Sequence, residues 1–221
     1  MINRYITVEK DFAQASFTEK KSEFIGYAAR VESEEQAKSF IERIRREHSD
    51  ATHNCYAYLL KDSGLSRFSD DGEPGGTAGM PMLEVIKREE VCDVCIVVTR
   101  YFGGILLGAG GLVRAYAKGA KIALDAAGKA VFVPYMAFHT EVDYAAYEKI
   151  MHELPKYGVL CDHTAFAAGV AMDLRAKQEN FERFRAFLAD YTSGKAVCTV
   201  TGSAFGKETD TTVSAKIQEK S

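Results

Sequence analysis

The sequence predicts an α+β protein of two domains. Beyond Pro134, apolar residues follow the periodicities of a strand, a helix, two strands, a helix and a final strand. Before Pro134 the pattern is less regular, and 12 of the 18 glycines lie between Gly64 and Gly128. With 221 residues, 47% of them hydrophobic and 27% charged, the chain is long enough for each half to bury a core of its own.

The first predicted domain covers residues 1–134. Ser33 is a favourable N-cap, and Gln36 at the third helical position completes a capping box. The Ala-rich segment before Gly128 predicts the longest helix. In chain order we expect strands at 12–20 and 23–31, a helix at 34–47, a strand at 53–60, a helix at 77–89, a strand at 92–101 and a helix at 112–126.

The second predicted domain covers residues 135–206, and a polar tail follows at 207–221. Phe181, Phe184 and Leu188 form one apolar face of its second helix. The order β-α-β-β-α-β within about 70 residues is that of the ferredoxin-like motif. We expect a strand at 136–143, a helix at 144–157, strands at 159–166 and 169–174, a helix at 178–191 and a strand at 196–205.

The charge balance argues against a protein that holds nucleic acid through a general basic excess. Lys and Arg total 28 against 31 Asp and Glu, which gives a net charge of −3. Only a local basic patch is left for phosphate binding. Five cysteines, no leader-like N-terminus and no apolar run of about 20 residues predict a cytoplasmic protein with free thiols and no membrane contact. The pattern indicates no particular oligomeric state.

A glycine-rich loop leads into the helix predicted at 112–126. Arg100 precedes it and Arg114 follows it. Glycine allows backbone N–H groups to converge, a helix start favours an anion, and arginine binds phosphate or carboxylate in a bidentate way. The alternative interpretation is that these glycines only permit tight turns and close helix–sheet packing. The glycines are Gly103, Gly104, Gly108, Gly110 and Gly111.

An acidic loop, Asp70, Asp71 and Glu73, precedes Pro74. Three close carboxylates can hold Mg²⁺ or serve acid–base chemistry, and they can equally cap turns and the helix that follows. His53 and Cys55 lie on the same face of a predicted strand, which allows a nucleophile or half a zinc site. We assign no metal to them and place His53 in a binding groove.

A resemblance to a known family rests on the segments Lys21-Ser22-Glu23-Phe24-Ile25, His53-Asn54-Cys55-Tyr56-Ala57, Asp70-Asp71-Gly72-Glu73-Pro74, Gly76-Thr77-Ala78-Gly79, Arg100-Tyr101-Phe102-Gly103-Gly104 and Leu107-Gly108. Together they resemble the YigZ/IMPACT family, and the resemblance covers almost the whole chain. It implies a first domain with the left-handed β-α-β fold of the second domain of a small-subunit ribosomal protein. It also implies a second, ferredoxin-like domain similar to those of elongation factor G. Eukaryotic relatives bind a ribosome-associated activator of an amino-acid-starvation kinase and modulate translation, whereas no particular activity is implied for bacterial members.

Two functions are therefore expected. The first is a non-enzymatic, translation-associated regulatory protein that binds the ribosome, RNA or a translation factor, with no cofactor. The alternative is a phosphate-ligand-binding enzyme or sensor that uses the loop 103–111 and Mg²⁺ on the loop 70–73. Candidate basic patches are Arg100, Arg114, Lys118 and Lys121, and the run Arg43, Arg45 and Arg46. Glu42 and Glu47 flank that run, so it can equally be a solvated helix face. The candidate binding residues are His53, Asp70, Asp71, Glu73, Arg100, Tyr101, Gly103, Gly104, Gly108, Gly110, Gly111 and Arg114.

Overall fold

The structure, a computed structural model, describes residues 4–208 and divides into two compact units. The first unit is Tyr5–Val131, and the second contains Arg4 and residues 132–208. This confirms the predicted two-domain α+β architecture, while the proposed boundary after residue 134 stays a prediction. No helix within residues 4–208 is both long and apolar enough to cross a membrane.

The strands of the first unit are β1 (Tyr5–Val8), β2 (Phe12–Glu19), β3 (Ser22–Arg30), β4 (His53–Leu59), β5 (Ser66–Ser69) and β6 (Val94–Tyr101). The unit is built on a five-stranded sheet in the order β2-β3-β6-β4-β5, in which all neighbours are antiparallel. Because β3 and β4 both run antiparallel to β6, they are parallel to each other, and the helix α1 (Glu34–Glu47) joins them as a β-α-β unit. The short strands β1 and β5 lack apolar alternation and were not predicted.

Three helices cover both faces of this sheet. The helix α1 (Glu34–Glu47) packs on one face, and α2 (Gly79–Arg88) and α3 (Ala109–Ala127) pack on the other. The central strand β6 is consequently buried on both sides, which explains its uninterrupted apolar run.

The observed starts of α1 and α3 agree only partly with the predicted capping box and the predicted first residue of α3. The Ser33 hydroxyl accepts the Gln36 N–H at 3.2 Å as expected. The Gln36 side chain, however, accepts the N–H of Glu32, one residue before the cap. The helix α3 begins three residues before its predicted start, because Gly110 and Gly111 are helical.

The elements of the second unit are β7 (Lys129–Val142), α4 (Tyr144–Glu153), a 3₁₀ turn (Leu154–Tyr157), β8 (Val159–Phe166), β9 (Val170–Ala176), α5 (Gln178–Tyr191) and β10 (Thr199–Lys207). Four of these strands are paired in the order β10-β7-β9-β8 with antiparallel neighbours, the topology of the predicted ferredoxin-like motif. The helices pack on one face of the sheet around Phe138, Phe181 and Phe184. The predicted tail begins at Lys207, the last residue of β10, and residues 209–221 lie outside the described part.

Candidate functional site

A buried ion pair joins two of the predicted site residues. Arg100, near the end of β6, donates from Nη1 to Oε1 of Glu73 at 2.7 Å, and both side chains are almost fully buried. The Tyr116 hydroxyl of α3 donates to the same oxygen at 2.6 Å. Burial, together with the neighbouring thiol of Cys55 and the Glu73 carboxylate, raises the pKa of Tyr116, so its hydroxyl stays protonated as a donor. No sequence motif pointed to Tyr116.

His53 begins β4 directly opposite Arg100 in the sheet register. Its Nδ1 lies 2.8 Å from the carbonyl oxygen of Asp71, and because a carbonyl only accepts, Nδ1 carries the proton. The other ring nitrogen, Nε2, lies 3.8 Å from Oε1 of Glu73. The backbone of the acidic loop therefore fixes the imidazole with Nε2 beside the ion pair.

Asp70 holds the acidic loop onto the start of α2. Its Oδ1 accepts N–H groups from Ala78 at 3.0 Å and Gly79 at 2.8 Å, and its Oδ2 accepts one from Gly76 at 2.8 Å. Burial alone would raise the pKa of Asp70, but these three donors outweigh it and lower the pKa below its ordinary value. The α2 N-cap residue, Ala78, has no capping side chain, so Asp70 supplies the missing acceptor from outside the helix.

The other two carboxylates of the loop also have protein partners, which argues against the predicted Mg²⁺ loop. Asp71 accepts the N–H of Asn54 at 2.7 Å and pairs with Arg45 at 2.9 Å. Glu73, in turn, pairs with Arg100. Across residues 4–208, no group of three or more His, Cys, Asp and Glu side chains is arranged to hold a metal ion.

Cys55 has no feature of a nucleophile. It is fully buried, and its thiol donates to the carbonyl oxygen of Asp70 at 3.0 Å. Burial raises the pKa of the Cys55 thiol, which keeps it in the unreactive protonated form. The structure therefore does not support a reactive pair of Cys55 and His53.

The glycine loop is fixed against the β2–β3 turn. A Cβ at Gly103 would lie 2.0 Å from the carbonyl group of Lys21, and the Gly103 N–H donates to the Ser22 hydroxyl at 3.2 Å. Gly104 and Gly108 have φ values of +82° and +75°, a conformation that favours glycine. The close approach of the Lys21 backbone requires glycine at position 103, and the positive φ values favour glycine at 104 and 108. This agrees with the interpretation that the glycines permit tight turns and close packing.

The loop also leaves the start of α3 open. Gly108 is its N-cap and provides no side chain, and the first turn contains no acidic residue. The first helical hydrogen bond runs from the Leu112 N–H to the Gly108 carbonyl at 2.9 Å. Among the described residues, no partner accepts the N–H groups of Ala109, Gly110 and Gly111. This positive helix end can therefore receive an anion.

One cleft of about 380 Å³ collects four of the predicted site residues, His53, Glu73, Arg100 and Gly108. Tyr101 instead lies with His48 and Asp50, and it does not line the cleft. Gly103, Gly104, Gly110, Asp70 and Asp71 shape the loops around the cleft but do not line it, and Gly111 and Arg114 line a neighbouring depression. The remaining lining residues are Thr52, Gly72, Pro74, Phe102, Leu106, Leu107, Ala109 and Leu112.

The neighbouring depression, of about 230 Å³, shares Leu107 with the cleft and borders a group of exposed cations. We call Lys20, Lys21, Arg114 and Lys118 the basic patch. In the described part of the chain, none of these four cations pairs with a carboxylate, and Lys118 lies 4.2 Å from the centre of the Phe17 ring.

The other predicted patch residues are either buried or bound to acceptors within the protein. Arg100 is buried, and Lys121 pairs with Asp125. In the run at 43–46, Arg43 and Arg45 pair with carboxylates, and Arg46 donates to the Glu42 carbonyl on its own helix. The basic patch therefore retains Arg114 and Lys118 from the prediction and adds two lysines from the β2–β3 turn.

Comparison with known proteins identifies the family. The model of the Impact N-terminal domain matches residues 20–124, and a domain of unknown function, DUF1949, matches residues 140–195. The chain is 39% identical over 197 residues to IMPACT family member YvyE of Bacillus subtilis, covering 89% of this chain and 90% of that protein. The chain belongs to the IMPACT family.

Two further comparisons agree with this IMPACT family membership. IMPACT family member YigZ of Escherichia coli is 38% identical over 181 residues, which are 79% of this chain and 87% of YigZ. A crystal structure described as that of a hypothetical protein is 33% identical, with a TM-score of 0.60, and the match covers 90% of this chain and 98% of the other. Both domains of the fold are thus shared with these relatives, as the resemblance implied.

Proposed function

We propose that this IMPACT family protein is a non-enzymatic regulator of translation that binds RNA of the translation machinery through the basic patch and the open start of α3. The observation that carries the proposal is a depression along the first turns of α3, lined or bordered by four exposed cations that form no ion pair within residues 4–208, beside a helix start with three free N–H groups. Family membership supports the translational setting, because the resemblance implies that eukaryotic relatives modulate translation.

The charges of the basic patch are available to phosphates because none of the four cations forms an ion pair within residues 4–208, and Glu19 is the one carboxylate among the described residues that line the depression. Elsewhere on the same unit, Lys38 pairs with Glu34 and Lys87 pairs with Glu84. A phosphate that approaches the patch displaces only counterions, and that release favours binding. Since the whole chain is acidic, with a net charge of −3, RNA affinity depends on this local group and falls steeply as salt rises.

The alternative function is a Mg²⁺-dependent enzyme or sensor for a phosphorylated ligand. It is less well supported, because the carboxylates that would hold the metal ion have partners in the protein. Asp70 and Asp71 accept backbone N–H groups, and Glu73 is engaged by Arg100 and Tyr116. These contacts stabilise the loop itself and leave no shared set of carboxylate oxygens for a cation.

The test measures the affinity of the full-length protein for a single-stranded RNA over a range of salt concentrations. Arg114→Ala and Lys118→Ala are each expected to weaken binding to all sequences and to lower the slope of log K against log salt by about 0.7 per lost phosphate contact. Lys38→Ala, which removes a paired surface lysine, is the matched control and leaves both quantities unchanged.

A translation assay connects RNA binding to function. Adding the wild-type protein to a cell-free translation reaction is expected to change the rate of protein synthesis, and the Arg114→Ala/Lys118→Ala double variant is expected to lose most of that effect. Equal effects of the wild type and the double variant, or RNA affinities that do not differ between the patch variants and Lys38→Ala, would contradict the proposal.

A further inference from the structure

The cleft beside the basic patch has an apolar wall with an exposed aromatic ring. The ring of Phe102 is 45% exposed, and the guanidinium carbon of Arg100 lies 5.4 Å from the ring centre. The adjacent Leu106 is 81% exposed, and Pro74 and Leu107 complete the wall. Exposed aromatic rings beside phosphate-binding surfaces are the usual stacking platforms for unpaired bases.

The floor of the cleft carries polar atoms without partners. Oε1 of Glu73 accepts two hydrogen bonds, whereas Oε2 makes none within the described part of the chain. Among the described residues, Nε of Arg100 is buried and has no hydrogen-bond partner. Buried polar groups are nearly always satisfied, so this nitrogen, together with a free acceptor on Glu73 in the lining of the same cleft, indicates a ligand with its own donors and acceptors.

From these contacts we infer that the cleft is a pocket for one unstacked base of the RNA, an inference that rests on the proposed function. The base stacks on Phe102, its edge meets Glu73 on the floor, and its phosphate lies at the start of α3. The volume of about 380 Å³ is at the lower end of the range for small-ligand pockets and suits a single nucleotide.

The position of Arg114 supports this placement of the phosphate. Its Nη1 lies 3.6 Å from the place that a Cβ of Gly110 would occupy, so the guanidinium reaches back over the first turn of α3. The free N–H groups of this turn and Arg114 then serve the same phosphate, while Ala109 and Gly108 line the cleft that holds the base.

The carboxylate on the floor predicts which base is preferred. Oε2 of Glu73 accepts hydrogen bonds, and exocyclic amino groups of cytosine, adenine and guanine donate them. Uracil has no amino group at this edge, and its single N3–H lies between two carbonyl oxygens that repel the carboxylate. The pocket therefore favours cytosine over uracil, bases of the same ring size.

The experiment compares nine-nucleotide RNAs of cytidine alone and of uridine alone, with the full-length protein and two variants. Phe102→Leu keeps an apolar side chain but removes the stacking ring. Phe68→Leu is the matched control, because Phe68 is a similarly exposed phenylalanine on β5 that does not line the cleft. The wild type is expected to bind the cytidine RNA at least about five-fold more tightly than the uridine RNA, and Phe102→Leu to lose about five-fold with an unchanged salt slope.

A titration with cytidine 5′-monophosphate and with inorganic phosphate, followed by NMR, tests the pocket separately from RNA binding. The nucleotide is expected to shift the amides of residues 108–111 and the Phe102 ring, whereas phosphate shifts only the amides. If Phe102→Leu and the wild type bind both RNAs equally while Arg114→Ala weakens binding, the pocket is wrong and the proposed function stands. If no RNA binds but the nucleotide shifts the Phe102 ring, the proposed function fails and the cleft holds a free nucleotide instead of a base of RNA.

Discussion

At the scale of single residues, Asp70 shows why three neighbouring carboxylates do not make a metal site here. The loop that it belongs to turns sharply into α2, which leaves several N–H groups without helical acceptors. One aspartate satisfies three of them, at Gly76, Ala78 and Gly79. Its charge is thus used to hold the loop and the start of the helix together.

Replacing Asp70 with alanine is expected to destabilise the protein by about 2 kcal/mol, the upper end of the range for a lost helix cap, because three N–H groups lose their acceptor. Urea denaturation measures this loss, with Asp62→Ala on the exposed surface as a control that changes stability by less than about 0.5 kcal/mol. Equal stabilities of the two variants would contradict the role assigned to Asp70.

The same residue predicts a pH dependence. The pKa of Asp70 is lower in the folded protein than its ordinary value of 3.8, so the folded state favours the charged form. Its stabilising contribution is complete above about pH 3.8 and is lost as the pH falls through the lowered pKa of the folded state. The stability difference between the wild type and Asp70→Ala, measured in urea between pH 7 and pH 2.5, is expected to shrink over that acidic range.

At the scale of secondary-structure elements, the place of α3 on the sheet depends on two small residues. A Cβ at Gly26 of β3 would lie 2.3 Å from the carbonyl oxygen of Gly119 in α3. A Cβ at Gly119 would in turn lie 2.9 Å from a methyl group of Val98 in β6. The helix therefore lies closer to the sheet than a side chain would allow, and this close packing fixes the position of its open end.

Gly26→Ala is expected to destabilise the protein by about 2 kcal/mol or more, because backbone of α3 must move away from the added methyl group. Gly75→Ala is the matched control, since nothing lies within 4 Å of a Cβ at that position. Thermal and urea denaturation compare the two variants. A Gly26→Ala protein as stable as Gly75→Ala would show that α3 is not packed this closely.

At the scale of the whole molecule, the chain contains separate hydrophobic cores in its two units. In the first unit, one core lies on each face of the sheet. In the second unit, a core surrounds Phe138, Ile150 and Phe184. Since each unit buries its own apolar side chains, each has an independent source of stability.

Phe184→Ala, in the second core, is expected to cost about 3–5 kcal/mol of stability in that unit. Hydrogen exchange followed by mass spectrometry should then show faster exchange across residues 132–208 and unchanged protection in the strands of residues 5–131. Phe166→Ala, which truncates an exposed ring of the same unit, serves as the control. A uniform loss of protection through both units would show instead that they unfold together.

The sequence by itself determined most of the elements and the topology of the second unit. Apolar alternation in β8 and β9, the Ser33 cap and the apolar face of α5 are local patterns, and local patterns are what a sequence displays directly. The predicted elements missed β1 and β5, which are four residues long and too short to establish a period.

Only the tertiary structure decided which of the candidate residues lie together in one cleft. Glu73 meets Arg100 because the sheet register and the acidic loop bring together side chains 27 positions apart, and Tyr116 arrives from a third element. Likewise, the flanking glutamates of the run 43–46 predict local pairing for Arg45, which Glu42 confirms, but its second partner, Asp71, comes from across the fold. Whether a charge is neutralised or open depends on its neighbours in space, and those neighbours are set by packing between distant segments, which no local pattern contains.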